Sequence, residues 1–226
     1  MTRNIINLLF VSSFLFTGCG ETKKGDSLKN TNQKNQSDAE DKSENKPNGP
    51  KEDFAIVSTS YGDMTIQFFE GAAPKHVESF KLHATNGYYN GTIFHRVIPG
   101  FMIQGGDPNT KGDNKASYGT GGHAAKYYGI GDEKNSKTWN LPAEFNNIKH
   151  SRGILSMARS NDPNSGGSQF FICATDVPHL NGKYTVFGQV IDGDEIIDQI
   201  INLPRDARDN PNRRVEMNVR IEQRDK

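Results

Sequence analysis

"FHRVIPGFMIQGGD", residues Phe94–Asp107, places one arginine, Arg96, inside a run of apolar strand-forming residues. Phe101, Met102 and Gln104 follow it closely. Successive side chains of a strand point to opposite faces, so Arg96 shares its face with apolar residues two positions away on either side. Two interpretations are open. The arginine either packs its stem on the sheet with its head in water, or it is the cation of an apolar pocket.

Short alternating runs surround this stretch and predict a mainly β domain. In one of them, "SQFFICA", Phe171 and Cys173 alternate with Phe170 and Ile172, so both faces of that strand are apolar. The predicted strands lie in "FAIVSTSYGDMTIQFF", "TIFHRVI", "FMIQGG", "GILSMAR", "SQFFICA", "YTVFGQVI" and "RVEMNVRIEQ". Many short strands with few helices favour a barrel or a sandwich.

A first helix is predicted in "APKHVESFKLHATNG". Pro74 suits its first turn, and Gly87 marks its end. Val77, Phe80 and Ala84 fall on one face, which is therefore expected to be buried. This helix would plug one open end of the barrel or sandwich.

A second helix is predicted in "DGDEIIDQIINLP". Asp192 and Glu195 have the spacing of a capping box, and Pro204 follows the helix. The segment from Asn109 to Asn140 has neither a helix period nor a strand period and is rich in Gly, Lys, Tyr and Asn. It is expected to form long surface loops with at most a short strand.

The residue patterns of metal, cofactor and bond-cleaving chemistry are not found. His76 and His83 would lie about two helical turns, or ~10 Å, apart, which is too far to chelate one ion. A calcium-loop pattern starting at Asp107 fails, because Lys111 and Tyr118 occupy ligand positions. No serine has the G-x-S-x-G context. We therefore expect no metal and no cofactor. Basic and acidic residues number 27 each, so no nucleic-acid partner is expected.

The N-terminus predicts export and lipidation. Arg3 precedes an apolar stretch shorter than the ~20 residues of a membrane span, and "FTGC", ending at Cys19, resembles the lipobox of bacterial lipoproteins. Residues 1–18 are then the signal peptide, and residues 19–52 are the lipidated cysteine and a polar, disordered tether. The alternatives are an uncleaved anchor or simple secretion. The other cysteine, Cys173, is expected to be a small buried residue in a strand.

Three segments, "FHRVIPGFMIQGGD", "GILSMARSNDPNSGGSQFFI" and "LNGKYTVFGQV", follow one another in this order. Together they closely resemble the cyclophilins, peptidyl-prolyl cis-trans isomerases that also bind cyclosporin. The resemblance extends from about Phe54 to the C-terminus, so residues 53–226 are the expected isomerase domain. It implies a closed eight-stranded antiparallel β-barrel capped by two α-helices, with rotation about X-Pro peptide bonds as the reaction.

The resemblance also implies roles for single residues. Those matching the family's catalytic machinery are Arg96, Phe101 and Gln104. Those matching its substrate-binding positions are Met102, Ala158, Arg159, Phe171, His179, Leu180 and Tyr184. The chain departs from many relatives at three of these. Arg159 replaces an asparagine, His179 replaces a tryptophan that contacts cyclosporin, and Tyr184 replaces a pocket histidine. We therefore expect turnover to survive and cyclosporin binding to be weak.

The sequence thus predicts a monomeric isomerase, lipid-anchored in the bacterial cell envelope and either periplasmic or surface-exposed. It would act on proline-containing segments of exported proteins and assist their folding. One alternative is a non-catalytic module that binds proline peptides and has lost turnover through His179 and Tyr184. Another is a surface adhesin or moonlighting lipoprotein that uses the loops of residues 109–140.

Overall fold

A computed structural model of the chain describes Gly49 and residues 51–225. The predicted signal peptide, Cys19 and most of the tether lie outside the described residues. The strands are β1 (Lys51–Thr59), β2 (Gly62–Phe68), β3 (Thr92–Ile93), β4 (Arg96–Ile98), β5 (Met102–Gly105), β6 (Ile154–Met157), β7 (Phe170–Cys173), β8 (Val186–Asp192) and β9 (Glu216–Asp225). The α-helices are α1 (Pro74–Thr85) and α2 (Glu195–Ile201). Short 3₁₀ helices span Pro108–Lys111, Lys115–Ser117, Ser136–Thr138 and Pro178–Leu180.

The nine strands form one curled antiparallel sheet in the order β3-β9-β1-β2-β8-β6-β7-β5-β4. Its edge strands, β3 and β4, are separated in the chain only by Phe94 and His95. Phe94 N donates to Val215 O on the β9 side at 3.0 Å, and His95 N donates to Gln104 O of β5 at 3.0 Å. The structure therefore has a curled nine-stranded sheet in place of the predicted closed eight-stranded barrel. "TIFHRVI" changes partners between these two residues and forms two strands, so the sheet has nine.

Helix α1 covers the main core with the face predicted from its sequence. Val77, Phe80 and Ala84 are all buried. The Phe80 ring lies 5.7 Å from that of Phe68 and 5.4 Å from that of Phe170, both in edge-to-face geometry that aromatic pairs favour. The amphipathic pattern of α1 is confirmed, and its buried face packs the helix against the main core of the sheet.

Strand β7 separates two apolar clusters, as its alternation predicts. Phe170 and Ile172 belong to the main core. Phe171 and Cys173 belong to a second cluster that includes Met102. Burial raises the pKa of the Cys173 thiol to about 12, so this cysteine is a small apolar residue of the packing, as expected. The second cluster therefore lies on the opposite face of β7 from the main core.

The predicted capping box of α2 is wrong. Asp192 is still the last residue of β8, paired with Thr65, so it cannot cap a helix. Helix α2 begins at Glu195, and its N-cap residue, Asp194, makes no side-chain capping bond. Gly193 makes the turn between strand and helix with φ of 78°, where an added Cβ would collide with the backbone of β2.

Residues 109–140 form the predicted surface loops and contain no strand. They are fixed to the body of the domain by polar groups. The buried Asp107 carboxylate accepts from two loop amides, one of them Gly119 N at 2.6 Å. His83 Nε2 on α1 lies 2.8 Å from His123 O. These contacts hold the loops beside one end of β5, next to the predicted site.

Candidate active site

Strand register aligns several predicted site residues across one face of the sheet. Arg96 in β4 pairs with Gln104 in β5, which pairs with Phe171 in β7, and Phe171 pairs with Ser156 in β6. Directly opposite residues of antiparallel strands project to the same face. Met102, two positions before Gln104, lies on this face in the next row. Residues distant in sequence therefore meet through strand pairing alone.

Arg96, Gln104, Phe171 and Met102 line a pocket of about 170 Å³. Its lining consists of Arg96, Phe101, Met102, Gln104, Ala158, Arg159, Phe171, Leu180 and Tyr184. The pocket thus brings together every predicted catalytic and substrate-binding residue except His179. That residue is exposed at the rim, with its ring 5.9 Å from the ring of Phe101.

The floor and one wall of the pocket are apolar. Met102, Phe171 and Leu180 are almost fully buried. Tyr184 meets Phe171 edge-on, with ring centroids 5.9 Å apart and an interplanar angle of 81°. A small apolar ring such as that of proline would be enclosed on these sides and open to solvent toward Arg96.

A hydrogen-bonded histidine, His150, packs against Phe171. The His150 ring lies nearly parallel to Phe171, with centroids 6.1 Å apart. His150 Nε2 is 3.0 Å from Ser156 Oγ, and its Nδ1 is 3.2 Å from Asn181 Oδ1. Burial lowers the pKa of His150, so the ring is neutral at physiological pH. Neither His150 nor Ser156 is predicted from the sequence as a site residue. Ser156 meets Phe171 only through the pairing of β6 with β7, and His150 lies here through its contacts with Ser156 and Asn181.

Arg96 lies at the open side of the pocket, with 44% of its side chain exposed. Its Nη1 donates to Gln104 Oε1 at 3.5 Å, and its Nε is 4.0 Å from Asp209 Oδ2. Asp209 is held in place because its carbonyl accepts from Val97 N at 2.9 Å. Its φ of 63° is the only positive value among non-glycine residues of the described region. No sequence signal points to Asp209, which is far from Arg96 along the chain.

A chain of amide groups fixes the orientation of Gln104. Gln104 Nε2 donates to Gln169 Oε1 at 2.9 Å, and Gln169 Nε2 donates to Gly121 O at 2.7 Å. Gln104 Oε1 is therefore turned toward Arg96. Gln169 shares a face with Phe171 in "SQFFICA", and this alternation was its only signal in the sequence.

Arg159 and Tyr184 close the far side. The Arg159 guanidinium lies over the Tyr184 ring, 4.4 Å from its centroid. Its Nη2 donates to Lys183 O at 2.8 Å, and its Nη1 donates to Ser160 O at 2.8 Å. The arginine thus ties the segment after β6 to the segment before β8.

Residues 51–225 contain no cluster of three His, Cys, Asp or Glu side chains that could hold a metal ion.

Comparison with known proteins identifies the family of this chain. The profile of the cyclophilin-type peptidyl-prolyl cis-trans isomerases matches residues 54–223. The chain belongs to the cyclophilin family. A cyclophilin of this kind is a peptidyl-prolyl cis-trans isomerase, an enzyme that rotates X-Pro peptide bonds. Both the predicted family and the predicted activity are confirmed.

Individual cyclophilins support the assignment. A probable peptidyl-prolyl cis-trans isomerase of Brucella abortus is 43% identical over 153 residues, covering 66% of this chain and 71% of that protein. The Arabidopsis thaliana isomerase CYP18-1 is 45% identical over 143 residues, covering 63% of this chain and 78% of its own. A crystal structure of a Cryptosporidium parvum cyclophilin, obtained in the presence of the dipeptide Ala-Pro, is 36% identical with a TM-score of 0.64. It matches 75% of this chain and 98% of its own.

Proposed function

We propose that Arg96 is the catalytic group of this isomerase and acts on the twisted amide of the substrate. The barrier to rotation is ~18–20 kcal/mol, and the uncatalysed reaction takes tens to hundreds of seconds. Turnover in milliseconds requires the enzyme to remove about 6–7 kcal/mol. The amide nitrogen regains its lone pair only when the bond twists. A hydrogen bond from the Arg96 guanidinium to that lone pair therefore forms in the transition state and not in the planar ground state.

The position of Arg96 supports this role. It lies at the edge of an apolar pocket that would hold the proline ring against Met102 and Phe171, so its N–H groups can face the bond before the ring. A charge-assisted hydrogen bond contributes only ~1.5–3 kcal/mol, so other terms must add to it. The apolar walls favour the less polar twisted amide over the planar resonance dipole. Gln104, held by Gln169, would keep the remainder of the peptide fixed while one end turns.

The substrate class is a proline-containing peptide segment. The single observation that carries this proposal is the pocket itself, in which Arg96 and Gln104 face an apolar floor of proline size. The Ala-Pro dipeptide used with the Cryptosporidium parvum cyclophilin supports the same ligand class.

The dependence of activity on pH tests this assignment. No titrating side chain has a role in the proposed reaction, and burial lowers the pKa of His150 behind the wall. The value of kcat/KM should therefore be nearly flat from about pH 6 to about pH 8, as expected when no acid or base acts. A steep bell-shaped profile would contradict the account.

In the cell, we place the protein in the bacterial envelope as a lipoprotein. The family profile begins at residue 54, after "FTGC" and a polar segment that suits a flexible tether. A tether of about thirty residues would span roughly 30 Å, so the enzyme could reach substrates beyond the membrane surface. None of the helices in residues 51–225 has both the length and the apolar character to cross a membrane.

Lipid labelling tests this location. Cells that express the full chain should incorporate labelled fatty acid into the protein, and Cys19→Ser should abolish the label and release the protein from the membrane fraction. Labelling that persists in Cys19→Ser, or a wild-type protein that stays unlabelled and soluble, would contradict the lipoprotein proposal. Sedimentation of the released form should show a monomer.

The proposed clients are exported proteins whose folding waits on proline isomerisation. Refolding of such a protein has a slow phase of tens of seconds, which catalytic amounts of the enzyme should shorten. A module that only binds proline peptides would act stoichiometrically and would leave the rate unchanged at catalytic concentration. That outcome would favour the non-catalytic role for this chain.

A further inference from the structure

Among the described residues, no carboxylate balances the charge of Arg159. Its Nε and Nη2 donate to Lys183 O at 3.2 and 2.8 Å, and its Nη1 donates to Ser160 O at 2.8 Å and Asn161 O at 3.4 Å. A guanidinium has five N–H groups, so these four bonds leave one N–H free. No ion pair within 4.0 Å joins Arg159 to a carboxylate in the described part of the chain.

The other arginine of the site differs in this respect. Arg96 lies 4.0 Å from the Asp209 carboxylate, which also accepts from Arg205 Nε at 3.1 Å. Its charge is thus partly compensated from outside the pocket. Arg159 is the cation that stays available to a substrate charge.

Arg159 also lies at the junction of two cavities. It lines the pocket of about 170 Å³ that is proposed to hold the proline ring, called the proline pocket below. It also lines an adjoining cavity of about 290 Å³, and Gln104 and Ala158 line both cavities as well. Glycines, hydroxyl side chains and Gln169 line the rest of the second cavity. Neither lining includes an aspartate or a glutamate. A peptide that extends from the proline pocket into the second cavity passes directly beside the guanidinium.

The guanidinium is held rigidly in this position. One of its faces lies 4.4 Å from the Tyr184 ring centroid, and the Phe145 ring centroid is 5.9 Å away. Four bonds to carbonyl oxygens fix its plane. Because the group is already ordered, a substrate carboxylate would meet it with little further loss of side-chain entropy.

We propose that Arg159 makes this cyclophilin prefer substrates with an acidic side chain close to the proline, on the side that enters the adjoining cavity. The inference rests on the assignment of the pocket as the substrate site. The alternative is that Arg159 has only a structural role, linking Lys183 to Ser160, and has no effect on substrate choice. The two differ in one readout, because a purely structural arginine cannot distinguish glutamate from its neutral isostere.

Paired peptides provide the experiment. Each peptide has one proline and carries either Glu or Gln at a single position, one or two residues before or after it. The wild-type enzyme should favour Glu over Gln in kcat/KM by about two- to fivefold at one of these positions, the size expected of a partly exposed charge pair. The effect should lie in KM, because the pairing is the same in ground and transition states. It should fade at high ionic strength.

Variants assign the effect to Arg159. The Glu/Gln ratio should fall toward one in Arg159→Gln, and Arg159→Glu should favour Lys over Gln at the same position. The control is Arg220→Gln, an exposed arginine on β9, which should keep the wild-type ratio.

Two results would overturn the inference. The first is a Glu/Gln ratio of kcat/KM equal to one for the wild-type enzyme at every position. This result does not depend on whether any variant folds. The second is an unchanged ratio in both Arg159 variants. In either case, turnover of the Gln peptides that still depends on Arg96 would leave the pocket assignment intact. Loss of that dependence would instead count against the pocket itself.

Discussion

Acid should destabilise this domain through two buried histidines, His83 and His95. Only 4% and 2% of their surfaces are exposed. Burial lowers the pKa of each to about 4, outweighing the His123 carbonyl that contacts one ring and the Asp107 charge that acts on the other. Both ring nitrogens of His95 lack a hydrogen-bond partner in the described structure, and the Asp107 charge only partly offsets the cost of protonating the buried ring.

The size of the effect follows from proton linkage. In the unfolded chain each imidazole binds a proton with a pKa near 6.5, whereas in the folded domain it does so only near 4. Between these values the unfolded state holds more protons, so stability is lost as the pH falls. From about pH 7 to about pH 5 the loss is about 2 kcal/mol for each histidine and about 4 kcal/mol together. Most carboxylates contribute only at lower pH.

Urea unfolding at several pH values measures this loss, with NMR titration of the imidazole resonances as a direct check. The free energy of unfolding should fall by about 4 kcal/mol or more over that range at constant m-value, because burial also lowers the pKa of His150. In His83→Gln the fall should be smaller by about 2 kcal/mol, whatever the stability of that variant at neutral pH. A loss below about 1 kcal/mol in the wild type, or both rings titrating near 6.5, would refute the reasoning.

Three further outcomes are expected. Cys173, with its thiol pKa raised to about 12, should resist thiol reagents in the folded protein and react once it unfolds; rapid native labelling would contradict its burial. Glu144→Ala should lower the free energy of unfolding by about 2–3 kcal/mol, because its carboxylate accepts from two α1 amides and lies 2.7 Å from His76 Nδ1. Urea titration measures this, and a change below about 0.5 kcal/mol would count against it. Cyclosporin should inhibit weakly and His179→Trp should strengthen inhibition; a nanomolar inhibition constant for the wild type would disprove this.

The elements with a strong local period could be predicted from the sequence. The buried face of α1, with Val77 and Phe80, follows from its helical spacing alone. The two faces of β7 follow from strict alternation in "SQFFICA". Most of the pocket residues could be named as well, because the motifs that carry the family resemblance also carry these side chains.

Features that depend on register and on distant contacts could not be predicted. The change of partners between Phe94 and His95 is set by the ends of a curled sheet, not by the local pattern. The capping box at Asp192 had the right spacing but fell where the strand had not yet ended. Asp209 reaches Arg96 only through a turn near the C-terminus. Arg159 donates its hydrogen bonds to backbone carbonyl oxygens. Because every residue has one, no pattern of side chains in the sequence predicts these bonds.

The most direct test of the account is the activity of Arg96→Ala. Arg96 is half exposed, so the variant should fold with near wild-type stability by circular dichroism and urea titration. Its kcat/KM on a proline peptide should fall by about 10²-fold or more, as for loss of a group that acts on the transition state. Arg96→Lys should restore little, because an ammonium lacks the planar fork of donors. A folded Arg96→Ala enzyme with near-full activity would contradict the proposal that this arginine stabilises the twisted amide.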